Sequence, residues 1–209
     1  MADSLVLFGG TFDPVHFGHL LTARAIAESL QLDRITFVPT AVPPHKQAAN
    51  ASREDRLAML RMAVHNDPLF DLHTLEIDRS GPSYTIDTVE ALVADCPDRD
   101  VSLIVGADML EGLGRWHRAE ELLQKVRLIV ACRPHAEDVG KLKAIVQREI
   151  GESGASSISA IPVKTPLVEI SSTEIRRRVA RGLSIRYLTL DEVVAYIGDK
   201  GLYVLPDCA

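Results

Sequence analysis

The sequence predicts an α/β fold built on a doubly wound parallel sheet, with a small C-terminal helical appendage. Short apolar runs alternate with longer segments whose apolar residues recur at helical spacing, which is typical of sheets built from β–α–β units. The first run ends at Gly9-Gly10, and a helical pattern follows directly. No internal repeat or Pro-rich linker interrupts the chain. We therefore expect one domain over 1–209, with an α/β core over about 1–168 and a helical part over about 169–209.

The predicted strands are the short apolar runs. Most are uninterrupted and so indicate strands covered on both faces, whereas the run that starts at Phe70 alternates apolar and polar residues. The runs are Leu5–Phe8, Ile35–Val38, Phe70–Ile77, Val101–Val105, Leu128–Ala131 and a short run near Ile158–Val163.

The predicted helices fill the segments between these runs. Ser52 and Ser83 each precede a helical pattern and are predicted N-caps. The helices are Leu20–Leu30, about Ser52–His65, Ser83–Asp95, Arg118–Val126 and Glu137–Ile150. The segment Ala41–Asn50 has no periodicity and is predicted to be a loop.

Two capping-box patterns predict the C-terminal helices. Ser171 and Glu174 are three residues apart and precede Ile175 and Val179, and Thr189 and Glu192 repeat that spacing. Gly201 then suits a helix C-terminus.

Composition excludes several classes of protein. The 209 residues include 23 basic and 29 acidic side chains, so a net charge of −6 argues against a dedicated nucleic-acid binder. Cys96, Cys132 and Cys208 form no CxxC pair, which disfavours a disulfide framework or a zinc ribbon. Neither an apolar run long enough to span a membrane nor a signal-peptide pattern is found, so we expect a cytoplasmic protein. The oligomeric state stays open, homo-oligomers included.

The turn after the first strand has the composition of a phosphate site. Gly9 and Gly10 allow a phosphate to approach the backbone, and the following helix offers free N–H groups. His16 and His19 flank Gly18 at the helix start and can donate to that phosphate. The segment matches neither a Walker A loop nor a G-x-G-x-x-G fingerprint. A zinc site on the two histidines would need further ligands that spacing does not identify.

A second anion site is predicted at Ile170–Arg176, where hydroxyl groups crowd a helix N-terminus and an arginine follows. Taken alone, this segment is better explained as a capped surface helix with a solvated arginine face. The five arginines within Arg176–Arg186 also allow a nucleic-acid patch, which the absence of interleaved aromatic residues disfavours.

Together, the two segments resemble known signatures. His16-Phe17-Gly18-His19 resembles the H-x-G-H signature of the nucleotidylyltransferase superfamily, and Ile170–Arg176 resembles its I-S-S-T-x-I-R motif. Pro43–Lys46, Pro82–Thr85 and the segment from Gly106 to His117 narrow the resemblance to the bacterial nicotinate-mononucleotide adenylyltransferase family. Family-like segments run from Leu5 to about Tyr203.

The resemblance implies a Rossmann-like fold and a role in NAD biosynthesis. The family transfers the AMP moiety of ATP to nicotinate mononucleotide, giving deamido-NAD and pyrophosphate. The attacking phosphate is already ionised, so a direct in-line attack needs no general base and no covalent intermediate. Magnesium is expected to arrive with ATP, because no acidic cluster demands a protein cage; Asp13 could contact it through water.

The site residues follow from the matched motifs. The resemblance implies catalytic roles for His16, His19 and Arg176. ATP would be held by Gly9, Gly10, Thr11, Phe12, His16, His19, Gly106, Asp108, Ser172, Thr173 and Arg176. Nicotinate mononucleotide would be held by Lys46, Tyr84, Thr85 and Trp116.

Several of these residues have a plain alternative. Asp108 also suits the N-cap of a helix, Trp116 suits the core, and Lys46 suits a solvated loop. The N–H groups at Tyr84 and Thr85 would read the nicotinate carboxylate, because a helix N-terminus favours a carboxylate over a carboxamide.

Three rival interpretations remain. Phosphopantetheine adenylyltransferases share the first motif but are shorter and lack the Pro43–Lys46 and Trp116 pattern. Class I aminoacyl-tRNA synthetases share the His-x-Gly-His turn but are far longer. A non-catalytic nucleotide sensor could use the same scaffold, although it would have no need of His16 and His19.

Overall fold

The strands form one parallel sheet in a doubly wound order. The computed structural model describes residues 4–42, 49–132, 144–149 and 159–204. The strands are β1 (Ser4–Gly10), β2 (Ile35–Pro39), β3 (Phe70–Leu72), β4 (Asp100–Gly106), β5 (Val126–Cys132) and β6 (Ala160–Lys164). Their order, β3-β2-β1-β4-β5-β6, confirms the predicted fold. The strand order reverses at β1 and β4, because β2 and β3 are added on one side of β1 and β4 to β6 on the other. The carboxyl ends of β1 and β4 therefore border the crevice in which such sheets bind ligands.

Helices cover both faces of the sheet. They are α1 (Phe17–Leu30), α2 (Arg53–Val64), α3 (Leu75–Asp78), α4 (Thr85–Asp95), a 3₁₀ helix (Ala107–Arg115), α5 (Ala119–Lys125), α6 (Ser172–Ala180) and α7 (Asp191–Asp199), with further helical residues at 144–149. None of the helices in the described ranges is long and apolar enough to cross a membrane.

Alternation along β1 divides the core into two hydrophobic clusters. Val6 packs on one face with residues of α1, α2, α6 and α7, and Leu7 packs on the other face with residues of α4, α5 and the 3₁₀ helix. The C-terminal helices contribute Ile175 and Val193 to the first cluster. Each face of the central strands is therefore covered, as an uninterrupted apolar run predicts.

Two of the predicted N-caps are confirmed. The Ser52 hydroxyl accepts from the Asp55 N–H, and the Ser171 hydroxyl accepts from the Glu174 N–H. At the end of α7, Gly201 has a φ of 58° and Leu202 donates to the Ile197 carbonyl, which closes the helix as predicted.

The predicted strand Phe70–Ile77 is wrong beyond Leu72. His73 still donates to the Phe37 carbonyl, but the chain then turns into α3, and the Thr74 hydroxyl donates to Asp78. Alternating apolar residues fit either a strand or a single helical turn. The helical turn allows Glu76 to be buried and to accept a hydrogen bond from Thr88 of α4.

The other two predicted caps are also wrong. The N-cap of α4 is Tyr84, because the Ser83 hydroxyl instead accepts from the N–H groups of Ala41 and Val42 after β2. The N-cap of α7 is Leu190, because the Thr189 hydroxyl donates to the Val15 carbonyl at 2.9 Å. In both cases the hydroxyl forms a hydrogen bond with a backbone group of a distant segment and is not available to cap its own helix. Of the predicted helix Glu137–Ile150, residues 144–149 are helical and the remainder lies outside the described residues.

Candidate active site

Two cavities open at the carboxyl ends of β1 and β4. The larger has a volume of about 900 Å³ and the smaller about 190 Å³. Both are lined by Gly9, Gly10 and Thr11 at the end of β1. A ligand in one cavity would therefore meet a ligand in the other at this loop.

The larger cavity brings together nearly all residues predicted to bind ATP. Those that line it are Gly9, Gly10, Thr11, Phe12, His19, Gly106, Asp108, Ser172, Thr173 and Arg176. His16 is the exception, since it is only 6% exposed and lines neither cavity. The two predicted anion sites, far apart in sequence, thus line one space.

His19 is held as a hydrogen-bond donor towards this space. Its Nδ1 accepts from the His16 N–H at 3.3 Å, so the neutral ring carries its proton on Nε2. The His16 ring stacks on His19 with centroids 3.7 Å apart. Gly18 makes room for this pair, because a Cβ there would lie 2.9 Å from the His16 Nδ1. His19 is placed to donate to an anion, and His16 fixes its orientation from behind.

Burial keeps His16 neutral. Loss of solvation lowers the pKa of His16 from 6.5 to about 4, and its Nδ1 has no hydrogen-bond partner in the described part of the chain. A neutral imidazole can stack on the His19 ring without placing a buried positive charge beside it.

The depressed pKa makes folding stability depend on pH. The unfolded chain takes up a proton at His16 near pH 6.5, and the folded chain takes it up only near pH 4. The contribution of His16 to the free energy of unfolding is therefore fully present above pH 6.5. It is lost as the pH falls towards 4, and the loss is on the order of 3 kcal/mol. Urea unfolding across this range should show a smaller loss for His16→Asn than for wild type. Parallel curves would contradict a desolvated His16.

Three C-terminal side chains hold consecutive carbonyls of the loop before α1. Arg176 Nη1 donates to the Asp13 carbonyl at 2.6 Å, the Ser172 hydroxyl to that of Pro14 at 2.8 Å, and Thr189 to that of Val15. Arg176 and Ser172 thus support the loop in addition to lining the cavity. The sequence predicted the second role for these residues and missed the first.

Asp13 organises the same loop through its carboxylate. Its oxygens accept from the Asn50 and Ala51 N–H groups at 2.7 and 3.1 Å and from the Tyr203 hydroxyl at 2.8 Å. Burial, followed by the negative charge of Asp13, raises the pKa of Tyr203 above its usual range. No local sequence signal could have shown that Tyr203 and Asp13 meet.

Gly106 and Asp108 lie on the far wall of the larger cavity. A Cβ on Gly106 would overlap the Asp108 carboxylate, so a larger residue there would require the Asp108 side chain to move. The 3₁₀ helix begins without a side-chain cap, which rules out the alternative that Asp108 serves as its N-cap. Asp108 is exposed and free to meet a ligand.

The smaller cavity collects the residues predicted to hold the pyridine nucleotide. Tyr84, Thr85 and Trp116 line it, and Trp116 also packs on the second core cluster. The Tyr84 ring lies 4.2 Å from that of His117, a residue that the sequence analysis did not assign. Lys46 lies outside the described residues. Because α4 begins at Thr85, its first N–H groups have no intrahelical acceptor.

A buried carboxyl group supports this cavity from below. Glu76 accepts from the Thr88 hydroxyl at 2.8 Å, and burial raises the pKa of Glu76. Glu76, Ser83 and Thr88 all line the cavity. No pattern in the sequence predicted that these residues would form part of its wall.

Comparisons with known proteins place the chain in a family. The model of the cytidylyltransferase-like family matches residues 7–178. A probable nicotinate-nucleotide adenylyltransferase of Geobacillus thermodenitrificans is 44% identical over 198 residues, covering 94% of this chain and 84% of the relative. One of the same name from Pseudomonas fluorescens is 40% identical, covering 99% and 100%. The chain belongs to the nicotinate-nucleotide adenylyltransferase family. This membership confirms the resemblance seen in the sequence.

Solved structures support the fold of this nicotinate-nucleotide adenylyltransferase family member. The Plasmodium falciparum nicotinic acid mononucleotide adenylyltransferase complexed with NaAD superposes with a TM-score of 0.78 at 18% identity, covering 96% of this chain and 97% of that one. The same enzyme complexed with APC gives a TM-score of 0.75 at 17% identity. At this identity the likeness establishes the shared fold.

Proposed function

We propose that the chain transfers the adenylyl group of ATP to nicotinate mononucleotide, releasing pyrophosphate and forming deamido-NAD in NAD biosynthesis. The observation that carries this proposal is the meeting of the two cavities at Gly9–Thr11, beside His19. ATP fits the larger, polar-lined cavity and the pyridine nucleotide the smaller one. The relatives of this name, which match over nearly the whole chain, support the same activity.

The proposed reaction is a direct in-line displacement. A phosphate oxygen of nicotinate mononucleotide attacks the α-phosphorus of ATP, and the bond from that phosphorus to the pyrophosphate oxygen breaks. His19 donates from Nε2 to the α-phosphate, whose charge is best stabilised by donors that are already oriented. The chain supplies position and charge, because the attacking oxygen is already ionised.

The departing pyrophosphate would be stabilised by the start of α6. Ser172 and Thr173 occupy its first turn, where N–H groups and the helix dipole favour an anion. Arg176 adds a fixed positive charge and keeps its hydrogen bond to the Asp13 carbonyl.

The nicotinate carboxylate would meet the start of α4. Tyr84 and Thr85 line the smaller cavity, and a helix N-terminus favours a carboxylate over a neutral carboxamide. The Tyr84 N–H donates to the Pro82 carbonyl at 3.2 Å, so the Thr85 N–H is the proposed donor that needs no rearrangement. Lys46 is proposed to add positive charge near the reacting phosphates.

Magnesium is proposed as part of the ATP substrate. No cluster of three or more potential metal ligands occurs in the described ranges, and the Asp13 carboxylate is occupied by Asn50, Ala51 and Tyr203. We propose that the ion is carried by the triphosphate and has few direct protein ligands. The cytoplasmic location remains a prediction from the sequence.

Trp116 gives a test of the pyridine subsite. Trp116→Ala should raise KM for nicotinate mononucleotide about fivefold, because loss of ring stacking costs on the order of 1 kcal/mol. KM for ATP should stay near the wild-type value, and Trp116→Phe should recover most of the loss. Steady-state kinetics with each substrate varied in turn measures the difference. Equal effects on both substrates would assign Trp116 to the core alone.

The activity itself is tested by following pyrophosphate release with Mg-ATP and one of three acceptors. Rapid release is expected with nicotinate mononucleotide and slow release with nicotinamide mononucleotide. Comparable rates with both acceptors would support the adenylyl transfer and contradict the proposal that the start of α4 recognises the nicotinate carboxylate. Release with phosphopantetheine alone would identify the rival adenylyltransferase, and ATP binding without any release would favour a nucleotide sensor.

A further inference from the structure

Arg56 is a buried arginine that joins the loop after β1 to the loop after β2 and lines neither cavity. It lies in α2 and is 1% exposed. Its Nη1 donates to the Thr11 carbonyl at 2.8 Å and to the Thr40 carbonyl at 2.6 Å, and its Nη2 donates to the Ala41 carbonyl at 3.0 Å. One guanidinium group therefore holds the loop after β1 and the loop after β2 together.

The contact with Thr11 determines where the next N–H group points. The Thr11–Phe12 peptide is trans, because the cis peptide bond of the described chain is Asp13–Pro14. In a trans peptide the carbonyl and the N–H point in opposite directions. Since the Thr11 carbonyl points to Arg56, the Phe12 N–H points away from Arg56. Thr11 and Phe12 both line the larger cavity. No acceptor for this N–H occurs in the described ranges.

The backbone of Phe12 is unfavourable without such support. Its φ of 47° lies in the left-handed region, which a residue with a side chain rarely adopts. The Phe12 ring is buried against Gly10, where a Cβ would lie 2.9 Å from it. Arg56 on one side and the buried ring on the other keep this peptide in one orientation.

The same guanidinium group also holds the loop that borders the pyridine cavity. Thr40 lines that cavity, and the next residue, Ala41, donates its N–H to the Ser83 hydroxyl at 3.1 Å. Ser83 directly precedes Tyr84, the N-cap of α4. Arg56 thus connects the loop beside the α-phosphate with the helix end beside the nicotinate carboxylate.

We propose that Arg56 is a positioning residue of the adenylyl transfer, which acts by aiming the Phe12 N–H at the α-phosphate and by fixing the wall shared with the pyridine cavity. The inference rests on the proposed function. An oriented N–H donor acts most strongly on charge that develops in the transition state, so its loss lowers kcat more than it raises KM for ATP. A lysine retains the charge but loses the planar fork that serves three carbonyls.

The first test compares Arg56→Lys with Arg61→Lys, an exposed arginine of the same helix. Arg56→Lys is expected to lower kcat about 30-fold or more, with KM for ATP within about threefold of wild type, because donor orientation is lost while the charge remains. Arg61→Lys is expected to behave as wild type. A folded Arg56→Lys protein with wild-type kcat and only a lower melting temperature would overturn the proposal.

The second test removes the donor itself and leaves Arg56 in place. Incorporation of phenyllactic acid at position 12 converts the Thr11–Phe12 amide to an ester, which has no N–H. The ester is expected to lower kcat as Arg56→Lys does, and the two changes combined are expected to cost little more than either alone. An ester protein with normal kcat, or fully multiplicative losses, would overturn the proposal even if Arg56→Lys fails to fold. A wild-type chain that forms no deamido-NAD would overturn the proposed function and this inference together.

Discussion

Replacing His19 with alanine is expected to lower kcat by about 100-fold or more, because the proposed oriented donor to the reacting phosphate is lost. The His19 ring lines the larger cavity with its Nδ1 engaged by the His16 N–H, so Nε2 is its donor. Binding of ATP should change much less than kcat, since the donor acts most strongly on charge that develops in the transition state. Steady-state kinetics and calorimetric titration with Mg-ATP separate these effects.

His65→Ala is the matched control for this experiment. His65 is an exposed histidine just beyond α2, and its Nδ1 lies 3.0 Å from the Met62 carbonyl. It should retain wild-type kinetics. A His19→Ala protein that melts like wild type and turns over normally would remove His19 from the reaction and leave the loop glycines as the phosphate contacts.

Arg176→Ala is expected to lower kcat/KM for ATP by about 100-fold, because it removes a charge-assisted contact to the triphosphate and a support of the loop at the same time. Its Nη1 donates to the Asp13 carbonyl and lies 3.8 Å from the Asp13 carboxylate. Arg176→Lys should recover part of the loss, because a lysine keeps the charge but not the fork. Initial rates at varied ATP concentrations measure both variants.

The neighbouring arginine separates this effect from a general loss of positive charge on α6. Arg177 pairs with Glu174, and its side chain is 62% exposed, so Arg177→Ala should leave kcat/KM for ATP unchanged. Equal losses in the two alanine variants would indicate a diffuse electrostatic effect and contradict a specific contact between Arg176 and the phosphates.

Local patterning was sufficient to predict the sheet, and it selected the two segments of the predicted anion sites, which line one cavity in the structure. Uninterrupted apolar runs identify buried strands such as β4, and the Ser171–Glu174 spacing identifies the start of α6. The loop from Gly9 to His19 combines features that are each common but seldom occur together at one strand–helix turn. Their joint occurrence is the basis for predicting a phosphate site at this turn.

Contacts between distant segments could not be predicted in this way. Ser83 and Thr189 precede helices and satisfy the spacing rules for caps, yet each side chain bonds to a backbone group from another part of the chain. Arg56 appears in the sequence as one more polar residue of a helix, although it is fully buried. Which carbonyl needs a donor is known only after the loops have been placed in space.

The loop before α1 is held by C-terminal side chains. It can therefore reach its final form, and the chain can become catalytically competent, only after those residues have been synthesised. The contacts of Pro14 with Ser172, of Val15 with Thr189 and of Asp13 with Tyr203 join residues 158, 174 and 190 positions apart. During synthesis, β1 to β5 leave the ribosome before these partners do. A nascent chain, or one cleaved between β6 and α6, therefore has those strands but lacks the contacts that hold the loop before α1.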